Sequence, residues 1–144
     1  MAVRVRLRVR CRLTGACVDV AALVNSGFEA FTPKLPVPAG LAEALGIWPS
    51  LPEGAFSRSV DTAGGPASKY VVPEALEVKL LVEDRDTPAV RCDVMISALE
   101  REVLINDKLA SLLGIMLIDI GGGLWRLRDD KPDVLRRSVE RQVW

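Results

Sequence analysis

Histidine is absent from this 144-residue chain, which removes both the side chain most often used for proton transfer near neutral pH and the commonest metal ligand. Cysteine is scarce: Cys11, Cys17 and Cys92 are an odd number without metal-ligand spacing, so neither a Cys/His metal site nor a disulfide framework is expected, and no cofactor is expected. Aromatic residues make up only 5%, too few for a surface built to stack on bases. No apolar run reaches the roughly 18 residues that a membrane-spanning helix requires. The first dozen positions match neither a signal peptide nor a spanning helix, so no membrane is expected as a partner and the reading is cytoplasmic. Net charge is lacking too, with 19 basic against 19 acidic residues, so no global field draws the chain to nucleic acid, and none is expected as a partner. Asparagine and glutamine are nearly missing, with Asn25, Asn106 and Gln142 the whole set, while Arg, Glu and Val abound, a composition of the kind heat-adapted proteins carry.

What is present is alternation. Val3, Val5, Leu7, Val9, Cys11 and Leu13 fall on one face and Arg4, Arg6, Arg8, Arg10 and Arg12 on the other, the period of a half-buried strand whose arginines form a solvated face. Thr14-Gly15 is a turn signal, and the apolar run from 16 to 24 reads as the hairpin partner, buried on both faces. Across that turn Cys11 and Cys17 are placed to face each other, but free thiols are expected. Pro33, Pro36 and Pro38 mark an irregular loop, 41–47 a short helix closed by Gly46, and 57–72 a hairpin with a small-residue tip. Strands follow at 75–83, 89–97 and 103–105, then a helix over 108–114 and a hairpin over 116–127 around a glycine turn. Positions 132–143 have the pattern of a basic amphipathic helix. The expected organisation is a mainly β domain over 1–131, built from antiparallel hairpins and short helices, followed by a helical tail over 132–144.

The order of these pieces carries more than any one of them. Ala-Leu-Val-Asn-Ser-Gly ends an apolar strand at 22–27, a proline loop and short helix follow, then the glycine-tipped hairpin, then Val-Leu-Ile-Asn-Asp-Lys-Leu at 103–109 running into a helix that ends in Leu-Gly-Ile. Over roughly residues 16–127 this order resembles the retropepsin-like aspartic proteases. In that family an apolar strand ends in Asp-Thr/Ser-Gly, a glycine-rich flap covers the cleft, and an apolar pair followed by Gly leads into the last helix. The resemblance implies a closed β-barrel, a homodimer, and an extended peptide or protein substrate bound in a groove between floor and flap.

It also implies a chemistry. Each chain of such a dimer places one carboxylate at the two-fold axis, and because like charges so close cannot both ionise, the pair shares a proton. The ionised member takes a proton from water as it attacks the peptide carbonyl, and the protonated member hydrogen-bonds the developing oxyanion. Here Asn25 stands at the carboxylate position, Ser26 would brace the site across the dimer, and Gly27 would let backbone approach closely. An amide does not ionise near neutral pH, so the chain as written is expected to be catalytically silent. The substitution has three readings: a pseudo-enzyme, an inactivated variant, or an unrelated protein whose Asn-Ser-Gly is only a turn. By the same resemblance Glu29 pins backbone or substrate, Ala63, Gly64 and Gly65 close over the peptide, and Leu104 with Ile105 walls the cleft. Asp61-Thr62-Ala63 mimics the catalytic tripeptide but follows a polar stretch and precedes Gly-Gly, which assigns Asp61 to the flap. Asn106 replaces the family glycine, and asparagine tolerates the left-handed backbone expected there. A non-catalytic dimeric peptide-binding module is the alternative function. An interaction domain using the basic first strand and the basic tail for nucleic acid or protein is a further one.

Overall fold

The computed structural model describes residues 2–144, the side chains of Val60 and Thr62 aside. In chain order the elements are β1 (Arg4–Cys11), β2 (Cys17–Val24), β3 (Lys34–Pro38), α1 (Ala39–Ala44), β4 (Phe56–Thr62), β5 (Gly65–Leu80), β6 (Val90–Ser97), β7 (Val103–Ile105), α2 (Asp107–Leu112), β8 (Ile115–Asp119), β9 (Leu124–Leu127) and β10 (Arg136–Arg137). The chain is thus mainly β, and none of its described helices is long and apolar enough to cross a membrane.

The alternation in the first strand does what period two requires. Val5, Leu7, Val9 and Cys11 are all but fully buried, and the arginines between them face outward. Those arginines are largely matched on the surface: Arg8 pairs with Asp19 at 2.8 Å, Arg4 with Glu102 at 2.7 Å, and both Arg10 and Arg12 approach Glu77. Antiparallel pairing sets β1 against β2 and against β5, whose Leu76, Val78 and Leu80 complete the core. Only Val20 and Ala22 of β2 are buried, so that strand is not covered on both faces as expected. Cys17 lies opposite Arg10 and is exposed, whereas Cys11 is buried, so the two thiols do not face each other.

One sheet has the order β3-β6-β5-β1-β2-β7, with β4 hydrogen-bonded to β5; β10, β9 and β8 form a second. Two pairings depart from a pure series of hairpins, since β2 runs parallel to β7 and β3 parallel to β6. Strand β5 serves two hairpins in one 16-residue run. It bends at a bulge between Val72 and Leu76, where Glu74 takes φ +52° and donates its N–H to Asp93 Oδ1 at 2.8 Å.

The closed barrel is corrected to an open sheet whose ends meet without a ladder. Where an irregular loop was expected, β3 is a buried strand containing Pro36 and Pro38. The Lys34 N–H points to Asn106 Oδ1 at 3.0 Å, on the side toward β7. In a strand, alternate residues point their amides the same way, so Pro36 and Pro38 fall on that side and offer no N–H. Beyond Lys34, β3 therefore offers no donor to β7, and Asn106 clasps the gap: its Oδ1 accepts from Lys34 N–H, its backbone N–H donates to Lys34 O at 3.4 Å, and its Nδ2 donates to Thr32 O at 3.0 Å.

The tail is corrected as well. Residues 132–144 hold no helix; they contain a turn at 132–133 and the short β10, and several of their polar groups are spent on neighbours. Val139 N–H donates to Arg4 O at 3.0 Å, Ser138 Oγ accepts from Arg4 N–H at 3.0 Å, and Gln142 Oε1 accepts from Ala21 N–H at 2.9 Å. Arg136 is held between Asp84 and Asp130 and lies 5.7 Å from the Trp125 ring centre. Trp144 packs against the core beside Gly40. Tertiary partners of this kind override a helical pattern that is only amphipathic.

Candidate functional site

The parallel pairing of β2 with β7 sets Val24 beside Ile105, so the segments that follow these strands leave the sheet side by side. Asn25 N–H donates to Ile105 O at 2.9 Å, and Asp107 N–H donates to Phe28 O at 3.1 Å. Within the first segment a tight turn forms: Asn25 Oδ1 accepts from Gly27 N–H at 3.3 Å, and Asn25 O accepts from Phe28 N–H at 3.2 Å. Such side-chain turns are what asparagine favours. With Oδ1 so engaged, Nδ2 of Asn25 makes no hydrogen bond among the described residues, and the side chain is partly open to solvent.

The second segment opens with Asn106, which is fully buried. It has φ −78° and ψ 171°, an extended conformation and not the left-handed one expected. Its Oδ1 accepts from Leu109 N–H at 3.0 Å, capping α2, as well as from Lys34. One amide thus ends a strand, starts a helix and clasps the sheet, and the only hint in the sequence was an asparagine directly before a helical pattern.

A cleft of about 320 Å³ lies over the Asn25 turn, bounded by Asn25, Gly27, Phe28, Leu104 and Met95 together with Arg58, Lys69 and Glu100. The structure therefore brings Asn25, Gly27 and Leu104 together. Ser26 is exposed on the same turn. Glu29 lines an adjoining hollow of about 380 Å³ with Phe31, Lys34 and Arg58. Ala63, Gly64 and Gly65 form the tip of the β4/β5 hairpin and line neither space, and Asp61 stands exposed on that hairpin. Arg58, Lys69 and Glu100 went unnoticed in the sequence, because only the register of the hairpin turns the first two toward the cleft.

No protein-family model matches the chain, and no curated protein matches it at a significant level.

The cleft's chemistry is that of its side chains. Its one carboxylate, Glu100, lies 3.7 Å from Lys69 Nζ, so a single chain does not offer the paired acid and base that water-mediated hydrolysis needs. Beneath the adjoining hollow, buried Asp93 accepts from Thr32 Oγ at 2.7 Å, Lys34 Nζ at 2.9 Å and Glu74 N–H. Burial opposes ionisation of Asp93, but the Glu74 amide, the Lys34 ammonium and the Thr32 hydroxyl together hold its pKa below the ordinary value. Among the described residues no three Cys, Asp or Glu side chains converge to hold a metal ion. A larger hollow of about 430 Å³ lies under the tail, but two of its arginines, Arg4 and Arg136, are already committed to Glu102 and to Asp84 with Asp130. The smaller cleft, over which the Asn25 turn lies, is the better candidate.

Proposed function

We propose that this chain is a retropepsin-like aspartic endopeptidase scaffold that works as a homodimer, receives an extended peptide in a groove, and with Asn25 at the carboxylate position binds that peptide without cleaving it. One observation carries the reading: the Asn25-Ser26-Gly27 turn and Leu104, far apart in sequence, meet at one cleft through parallel β2 and β7, while Ile105, expected to wall that cleft, is instead buried in the core. A half-exposed Asn25 with an unused Nδ2 donor suits a position completed by a second copy of the chain. Two such amides could hold a water molecule but could not deprotonate it.

Restoring the carboxylate tests the proposal. Asn25→Asp should produce slow cleavage of an unstructured protein, blocked by a pepstatin-like inhibitor, while the unaltered chain leaves that protein intact. Sedimentation should give twice the chain mass for both. A folded, dimeric Asn25→Asp variant without any proteolysis would remove the endopeptidase ancestry and leave the peptide-binding module. A monomer would remove the shared cleft altogether.

A further inference from the structure

We propose that the cleft recognises a peptide by an acidic side chain, whose carboxylate is gripped between Arg58 and Lys69; this rests on the peptide-binding reading above and adds the chemistry of what is bound. The two residues are direct partners in the antiparallel register of β4 and β5, so they share one face of the hairpin. That face borders the cleft over Asn25. The opposite face is fixed by the next pair along, where the Tyr70 ring packs tilted against Trp48, with ring centres 5.3 Å apart.

Two cations directly across a strand pair destabilise it, and a fold without use for them would put a carboxylate or a neutral residue at one of the two positions. Lys69 has Glu100 at 3.7 Å, a loose ion pair. The Arg58 side chain makes no ion pair or hydrogen bond among the described residues, and it borders both the main cleft and the adjoining hollow. A guanidinium so placed presents a planar fork to an incoming carboxylate, the geometry in which arginine binds most tightly. The floor agrees with this. An ionised aspartate at position 25 would repel an acidic side chain, whereas Asn25 is neutral and turns its amide donor free, so the change that silences hydrolysis also favours an anionic guest.

The test uses the full-length chain and end-blocked extended peptides in which each position in turn is glutamate or glutamine, read by fluorescence anisotropy. At one position glutamate should bind about tenfold tighter than glutamine, and the gap should narrow as salt rises. Arg58→Gln should abolish that gap by weakening binding of the glutamate peptide, and Arg58→Glu should turn the preference toward a lysine peptide. Equal binding of both peptides, or a preference that survives Arg58→Gln, overturns the inference and leaves the peptide-binding reading standing. No binding of any peptide by a folded protein overturns that reading and this inference with it.

Discussion

Asn106 shows how much one side chain can organise. It has no exposed surface and makes three side-chain hydrogen bonds to backbone, two as acceptor and one as donor. Two of them stand in for bonds the backbone does not make, since the first turn of α2 lacks intrahelical acceptors and the prolines of β3 have no N–H to donate to β7. Asn106→Ala should therefore cost about 2–4 kcal/mol in urea unfolding. Asn106→Ser, able to cap the helix but too short to span to β3, should recover only about 1 kcal/mol of that loss. Full recovery by serine would show that the clasp contributes nothing. The residue was visible in the sequence as a departure from the pattern the chain resembles, but its role in the sheet was not, because two of its three partners, Lys34 and Thr32, lie more than seventy positions away. Asn25 was legible as a turn former at the end of an apolar strand, and the structure gives it that turn.

At the scale of elements, period two was a reliable guide and composition was not. The strands around 3–24, 57–80 and 90–97 follow from alternation or from apolar runs bounded by turn residues, and Gly46 and Gly114, at φ +79° and +78°, end the helices where glycine was expected to end them. Prolines in β3 read as a loop because proline usually interrupts pairing, yet a strand paired on one side alone accepts them. The tail read as a helix because amphipathic spacing says nothing about which partners are within reach. Neither error was correctable locally, since β3 is defined by β6 and the tail by β1 and β9. The joint between β3 and β6 has its own vulnerable point in the buried Lys34 and Asp93 pair. Asp93→Ala leaves the ammonium of Lys34 and the amide of Glu74 without their acceptor, and should lower stability by about 3 kcal/mol in denaturant titration. Adding Lys34→Met to that variant should restore part of the loss, which it would not do if Asp93 acted only through Glu74.

Over the whole molecule, charge balance hides a pattern that neither composition nor motif reveals: carboxylates far apart in sequence converge on a few arginines. Glu102 is held by Arg4 and Arg141, and Asp84 and Asp130 by Arg136, in each case mainly through side-chain hydrogen bonds that keep the carboxyl below its ordinary pKa. These pairs tie the tail to both sheets. Their sign under acid follows directly. A carboxyl with a depressed folded pKa takes up protons more readily when unfolded, so its stabilisation is complete above the unfolded value, about 4, and drains away as pH falls through the folded value. Because histidine is absent, no side chain with an ordinary pKa titrates between about pH 5 and 7. Urea midpoints should therefore be flat across that range and fall steeply below about pH 4. Asp19 shares in the depression through Arg8, but its pair is exposed and should contribute little to the slope. Arg136 is the decisive position, because it serves two of the carboxylates at once. Arg136→Gln should return Asp84 and Asp130 toward ordinary values, lower stability at neutral pH and make the acid limb shallower, since fewer protons then distinguish the folded from the unfolded chain. An acid limb of unchanged slope in that variant would mean that the tail is held by its hydrogen bonds to the backbone of Arg4 and Ala21 and that the ion pairs are incidental.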